Sequence, residues 1–67
     1  MNWILIESNS INKVKYEFGI LEIVFHNGGY YKYFDVSEDI YESFLSSNSK
    51  GSYFNKCIKN IYKYQKI

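Results

Sequence analysis

From Ile11 to Phe18 the chain alternates, with Asn12, Val14, Tyr16 and Phe18 mostly apolar on one side and Ile11, Lys13 and Lys15 on the other, which predicts a first β-strand. Ile20 to Phe25 predicts a stronger one, because Leu21, Ile23 and Phe25 recur with period two and Asn27-Gly28-Gly29 follows as a hairpin turn. Tyr30 to Phe34 is the returning strand. A two-residue Asn27-Gly28 turn would place Tyr31 and Tyr33 on the face of Glu22 and Val24, since a one-residue slip moves a strand's side chains to the other face. A three-residue turn with Gly29 as a left-handed bulge sets Phe25 opposite Tyr31 and Ile23 opposite Tyr33. The second arrangement is the expectation, because it gathers Leu21, Ile23, Phe25, Tyr31 and Tyr33 on one buried face and leaves Glu22, His26 and Lys32 in water.

Beyond Phe34 the period changes. Ser37 is placed to cap a helix, and Glu38 and Asp39 complement the positive end of its dipole. Ile40, Tyr41, Phe44 and Leu45 form its apolar stripe, and Ser46-Ser47-Asn48 ends it. A second helix is expected from Ser49, packing Phe54, Cys57, Ile58 and Ile61 inward and turning Lys56 and Lys59 outward. Asn60 stands where a left-handed C-terminal residue is tolerated, and Ile61 to Ile67 alternates as a last strand or an extended tail. The order implies an α+β fold: a small antiparallel sheet of three to four strands with two short helices packed on one face. Residues 1–67 are read as a single domain.

Length constrains what this fold can be. A chain of 67 residues has a thin core, burying about 60% of the surface its unfolded form exposes. Disulfides, metals or a subunit interface usually supplement such cores. Cys57 is the sole cysteine, so an internal disulfide is excluded and a homo-oligomer is the expected supplement. The apolar stretch from Trp3 to Ile6 is too short for a secretory segment, and no run approaches the roughly 20 residues of a membrane helix. The expected location is cytoplasmic, without membrane contact. Ala, Arg, Pro and Thr are absent while Ile, Asn, Lys, Tyr and Phe abound, as A/T-rich codons produce. Low-GC bacteria and their phages are hosts of that kind.

Net charge is +1, yet its layout is uneven. Asp35, Glu38, Asp39 and Glu42 form an acidic run, and Lys50, Lys56, Lys59, Lys63 and Lys66 follow without an acid among them. The acidic run is explained by a solvated helix start. Cys57 lies on an apolar stripe with nothing cationic to activate it, His26 stands alone beside a turn, and no nucleophile elbow, zinc motif or phosphate loop is present. An enzyme is not expected, nor a cofactor or metal. Ser49-Lys50-Gly51-Ser52 is better placed for chemistry, since the free amides of a helix start can hold a phosphate. Eight Tyr, five Phe and one Trp exceed what one thin core holds, and tyrosines at a surface serve as stacking platforms or interfaces. Tyr30, Tyr53, Tyr62 and Tyr64 are the freer rings. Tyr31 and Tyr33 are expected to be buried with their hydroxyls at the rim.

The assembled residues resemble the KTSC domain, a small family named for the C-terminus of a lysyl-tRNA synthetase and also found as a stand-alone bacterial protein. The resemblance is carried by Ser8-Asn9-Ser10-Ile11, Val14, Tyr16, Leu21-Glu22-Ile23, Phe25 and the central Tyr31-Lys32-Tyr33. Val36, Tyr41, Leu45, Ser49 to Asn55, Ile58 and Tyr62 continue it. Ser37, Asn60 and Lys63 depart from residues usual in the family, and lysines replace arginines common near its C-terminus. The company of a synthetase implies an RNA-associated module. The expected function is a non-enzymatic binder of a phosphate-bearing ligand, RNA or a nucleotide, including a phage-type sponge that sequesters a nucleotide immune signal. The expected ligand residues are Ser49, Lys50, Gly51, Ser52, Tyr53, Asn55, Lys56, Lys59, Tyr62, Lys63 and Tyr64. The alternative is a homo-oligomeric protein-interaction module without a nucleotide ligand.

Overall fold

Alternation in the first half becomes a meander. In the computed structural model, which describes residues 2–67, the elements are β1 (Ile4–Leu5), β2 (Ile11–Glu17), β3 (Ile20–Phe25), β4 (Tyr30–Tyr33), α1 (Glu38–Ser46), α2 (Lys50–Cys57) and β5 (Tyr64–Lys66). The strands form one antiparallel sheet in the order β1-β2-β3-β4-β5. The α+β class holds, with five strands in place of three to four. The additional strand is β1, whose two residues are too few to show a period. At the other edge, the tail pairs with β4 as a last strand.

Two turns depart from the expected geometry. Phe18, expected on the mostly apolar side of the first strand, instead opens a two-residue turn with Gly19, both at positive φ (52° and 79°), and is 94% exposed. Such turns match the twist of the flanking strands, which is why they recur in hairpins. At the second hairpin Phe25 N donates to Gly29 O at 2.8 Å, and Ile23 faces Tyr31 while Leu21 faces Tyr33. The left-handed residue is Gly28, at φ 95°, not Gly29. The register is thus two residues from the expected one, and because side chains alternate with period two every face assignment survives. In β2 an irregularity between Ile11 and Lys13 inserts one residue, which turns Ile11 to the side of Val14 and Tyr16. Ile11 is fully buried as a result.

Both helices begin at their expected caps. Ser37 Oγ accepts from Ile40 N, and Ser49 Oγ accepts from Ser52 N. α1 buries Tyr41 and Phe44, and α2 buries Phe54. α2 ends sooner than its apolar spacing implied, with Ile58 at its C-cap. Ile58 is fully buried, whereas Ile61 has left the stripe and is 64% exposed. Asn60 is not left-handed: among the described residues the non-glycine positions at positive φ are Phe18 and Asp35. The core is Ile11, Val14, Leu21, Ile23, Val36, Phe44 and Ile58, fully enclosed, with Ile6, Tyr16, Tyr33, Tyr41 and Phe54 around them. It lies between the sheet and the two helices.

Candidate functional site

Pairing carries two rows of side chains across the helix-covered face of the sheet. One runs Val14, Ile23, Tyr31, Lys66 and the other Tyr16, Leu21, Tyr33, Tyr64. Each row begins in the core and ends at an exposed strand, so the same face is enclosed under β2, β3 and Tyr33 of β4 and opens at Tyr31 and along β5. α2 reaches this open part with Phe54, whose ring lies 5.4 Å from those of Phe25 and Tyr33. Tyr31 stands edge-on to Phe25 at 5.8 Å and tilted to Tyr64 at 5.7 Å, and Tyr33 is likewise 5.7 Å from Tyr64.

These rings line a cleft of about 650 Å³. Asn27, Gly28 and Gly29 of the second hairpin border it, together with Ser10, and α2 and the turn after it contribute Asn55, Lys59 and Asn60. Lys66 supplies a second cation. Burial, reinforced by the neighbouring Tyr31 and Tyr64 phenols, pushes the Tyr33 hydroxyl up from 10.0 to about 12. It therefore stays protonated at neutral pH and can donate a hydrogen bond. An aromatic wall, three amide side chains and two lysines make a surface able to stack a flat ring and neutralise an anion beside it.

A polar depression adjoins the cleft, sharing Ser10 and Asn55 with it and lined by the carboxylate-bearing Glu7 and by Ser8, Asn9, Asn48, Ser49, Lys50, Gly51 and Ser52. A Cβ at Gly51 would lie 3.1 Å from Ser10 Oγ, so glycine permits the close approach of that loop to α2. Ser49 Oγ caps Ser52 N and donates to Ser52 Oγ at 3.1 Å, while Lys50 Nζ donates to Ser47 O at 3.1 Å. The serines and the lysine of this helix start are thus engaged within the protein.

Of the residues expected from sequence, Asn55, Lys59 and Tyr64 meet in the cleft, and Ser49, Lys50, Gly51 and Ser52 line the depression. Tyr53 packs toward α1, 6.2 Å from the Phe44 ring. Tyr62 packs against the core, and Lys56 and Lys63 are exposed away from the cleft lining. Tyr30, expected to be free, lies on the opposite sheet face, bonded to Glu22 and edge-on to Trp3 at 5.8 Å. Phe25, Tyr31, Tyr33, Phe54 and Lys66 were not among the expected ligand residues. Their available signal was the Tyr31-Lys32-Tyr33 segment, which alternation alone assigns to the core. His26 bonds Ser8 O through Nε2 at 3.0 Å, and no His, Cys, Asp or Glu cluster suited to a metal occurs among the described residues.

A family model described as the KTSC domain matches residues 7–62. Among solved structures, a KTSC domain protein from Yersinia pestis is similar at 32% sequence identity and a TM-score of 0.93, with 98% of this chain and 96% of that chain covered. No curated protein matches the chain.

Proposed function

The chain belongs to the KTSC domain family, and from that premise and the make-up of the cleft we propose that it is a non-catalytic binding module for a phosphate-bearing ligand, a nucleotide or the unpaired nucleotides of an RNA. The observation that carries this reading is the aromatic wall open at Tyr31 and Tyr64 and backed by Phe25 and the buried Phe54, with Lys59 and Lys66 at its border. A base stacks against tyrosine rings whatever its sequence, and lysines neutralise the adjoining phosphate. Asn27, Asn55 and Asn60 offer amides to a base edge. Without arginine the site lacks a bidentate fork, so it suits a stacked base better than readout of a duplex. The lysyl-tRNA synthetase association belongs to the resemblance alone, and the reading rests on the cleft.

Within this reading a cytoplasmic sponge for a nucleotide signal is the narrower form. Native mass and the A260/A280 ratio of the protein purified from its host report a retained nucleotide. Titration with adenosine monophosphate and with a short uridine oligonucleotide tests the wider form. Oligonucleotide affinity is expected to fall with salt at a log-log slope of about −0.7 per phosphate neutralised. Binding without salt dependence, or none of either probe at millimolar concentration, removes the proposal. The competing reading, an interaction module without nucleotide, draws on the exposed Ile61, Tyr64 and Ile67 near the sheet edge. It requires that Lys59→Ala and Lys66→Ala leave partner binding intact.

A further inference from the structure

Among the described residues, β5 is bonded to the sheet on one side only. Phe34 N donates to Lys63 O at 2.9 Å, Ile67 N donates to Tyr30 O at 2.8 Å, and Gln65 lies opposite Lys32 between them. Lys63, Gln65 and Ile67 therefore direct their backbone groups toward β4, and Tyr64 and Lys66 direct theirs outward. β5 is the last strand in the sheet and all three of its residues are exposed. Three large apolar side chains are exposed in and around it: Ile61, Tyr64 at 58% and Ile67 at 57%. An edge strand of this kind is a template for another strand.

We propose that its occupant is β5 of a second copy of this chain, joined about a two-fold axis through Gln65. A three-residue strand has a single antiparallel register that pairs all of it with itself. In that register Tyr64 lies opposite the partner's Lys66, Gln65 opposite the partner's Gln65, and Lys66 opposite the partner's Tyr64. Such an interface is isologous and closes as a dimer. Edge lysines ordinarily discourage pairing. Here each ammonium is set beside a tyrosine ring instead of another lysine, a favourable cation–π arrangement. Tyr64 and Lys66 both line the cleft, so the partner's copies of these residues stand at its open side. Each cleft gains a third cation and a further ring. That role in ligand binding rests on the nucleotide reading, whereas the strand pairing does not.

Cysteine scanning in a Cys57→Ser background tests the register without any ligand. Gln65 would occupy a non-hydrogen-bonded pair on the axis, where Cα atoms are about 4.5 Å apart, within the span a disulfide bridges. Gln65→Cys is expected to oxidise to a covalent dimer, and Leu5→Cys, at the opposite sheet edge, to form no cross-link. Lys66→Pro removes an outward amide and leaves the β4 bonds in place. It should convert the native dimer to a folded monomer with an unchanged circular dichroism spectrum. A wild-type chain that is monomeric at all concentrations, or a cross-link formed by Leu5→Cys and not by Gln65→Cys, overturns the pairing. A dimer that binds no nucleotide overturns only the nucleotide reading, and a monomer that binds nucleotide overturns only this one.

Discussion

Two tyrosine clusters share one face of the sheet and have opposite fates. Under α1, Tyr16 stacks on Tyr41 with ring centroids 4.4 Å apart and planes at 14°, and the Tyr16 hydroxyl donates to Val36 O. Both rings are buried. Along β4 and β5, Tyr31, Tyr33 and Tyr64 meet one another at tilted angles, Tyr33 is buried and edge-on to Phe54, and Tyr31 and Tyr64 stand beside an open cleft. Residue type does not separate the two clusters. Cover does: the first has a helix and a loop carbonyl above it, and the second has only the side of α2.

If that contrast is correct, substitutions should divide cleanly between stability and binding. The largest effect is expected for Tyr41→Ala, which removes a buried ring and should cost about 3–5 kcal/mol of unfolding free energy, read from the denaturant midpoint. An equal loss from Tyr64→Ala would erase the contrast. Tyr64→Ala should instead weaken oligonucleotide binding by about 1–3 kcal/mol, the worth of a stacked base, while its unfolding midpoint stays close to wild type. Tyr16→Phe keeps the stack and deletes one hydrogen bond to a buried carbonyl, a loss of about 1 kcal/mol. Tyr31→Phe, in the open cluster, should leave stability unchanged in the same assay.

The sharpest probe concerns Tyr33, which belongs to both regions. Its hydroxyl is raised to about 12 in the folded chain against an ordinary 10.0, first by burial. A group whose folded pKa is raised stabilises fully below the unfolded value, and the contribution is lost as pH climbs through the folded value. Wild-type stability should therefore decline between pH 10 and 12 more steeply than that of Tyr33→Phe, which has no phenol to ionise. Burial also raises the Tyr16 and Tyr41 hydroxyls, so part of the decline should remain in the variant. Denaturant midpoints at pH 9 and 11 measure the difference.

Legibility varied along the chain for local reasons. The faces of Leu21, Ile23, Phe25, Tyr31 and Tyr33 were readable although the hairpin register was not, since an offset of two residues conserves sidedness. Ile11 was misplaced because a one-residue bulge reverses sidedness, and nothing in the alternation marks where it falls. Ile61 sits at helical spacing from Phe54 and Ile58, yet α2 stops before reaching it. Asn55, Lys59 and Tyr64 of the cleft were legible. Its other rings, Phe25, Tyr31, Tyr33 and Phe54, read as core, and they do join the core on one side.

By itself the sequence determined the α+β class, both helix starts and the apolar face of the central strands. These follow from short-range chemistry: a period of two, a serine hydroxyl accepting a first-turn amide, and glycine or polar residues where the chain must turn. Only the tertiary structure decided that the tail closes the sheet as β5, and that helix cover ends before the aromatic rows do. Both outcomes depend on which distant segments meet, so an open aromatic cleft and a closed aromatic core arise from the same residues in rows that differ only in what lies above them.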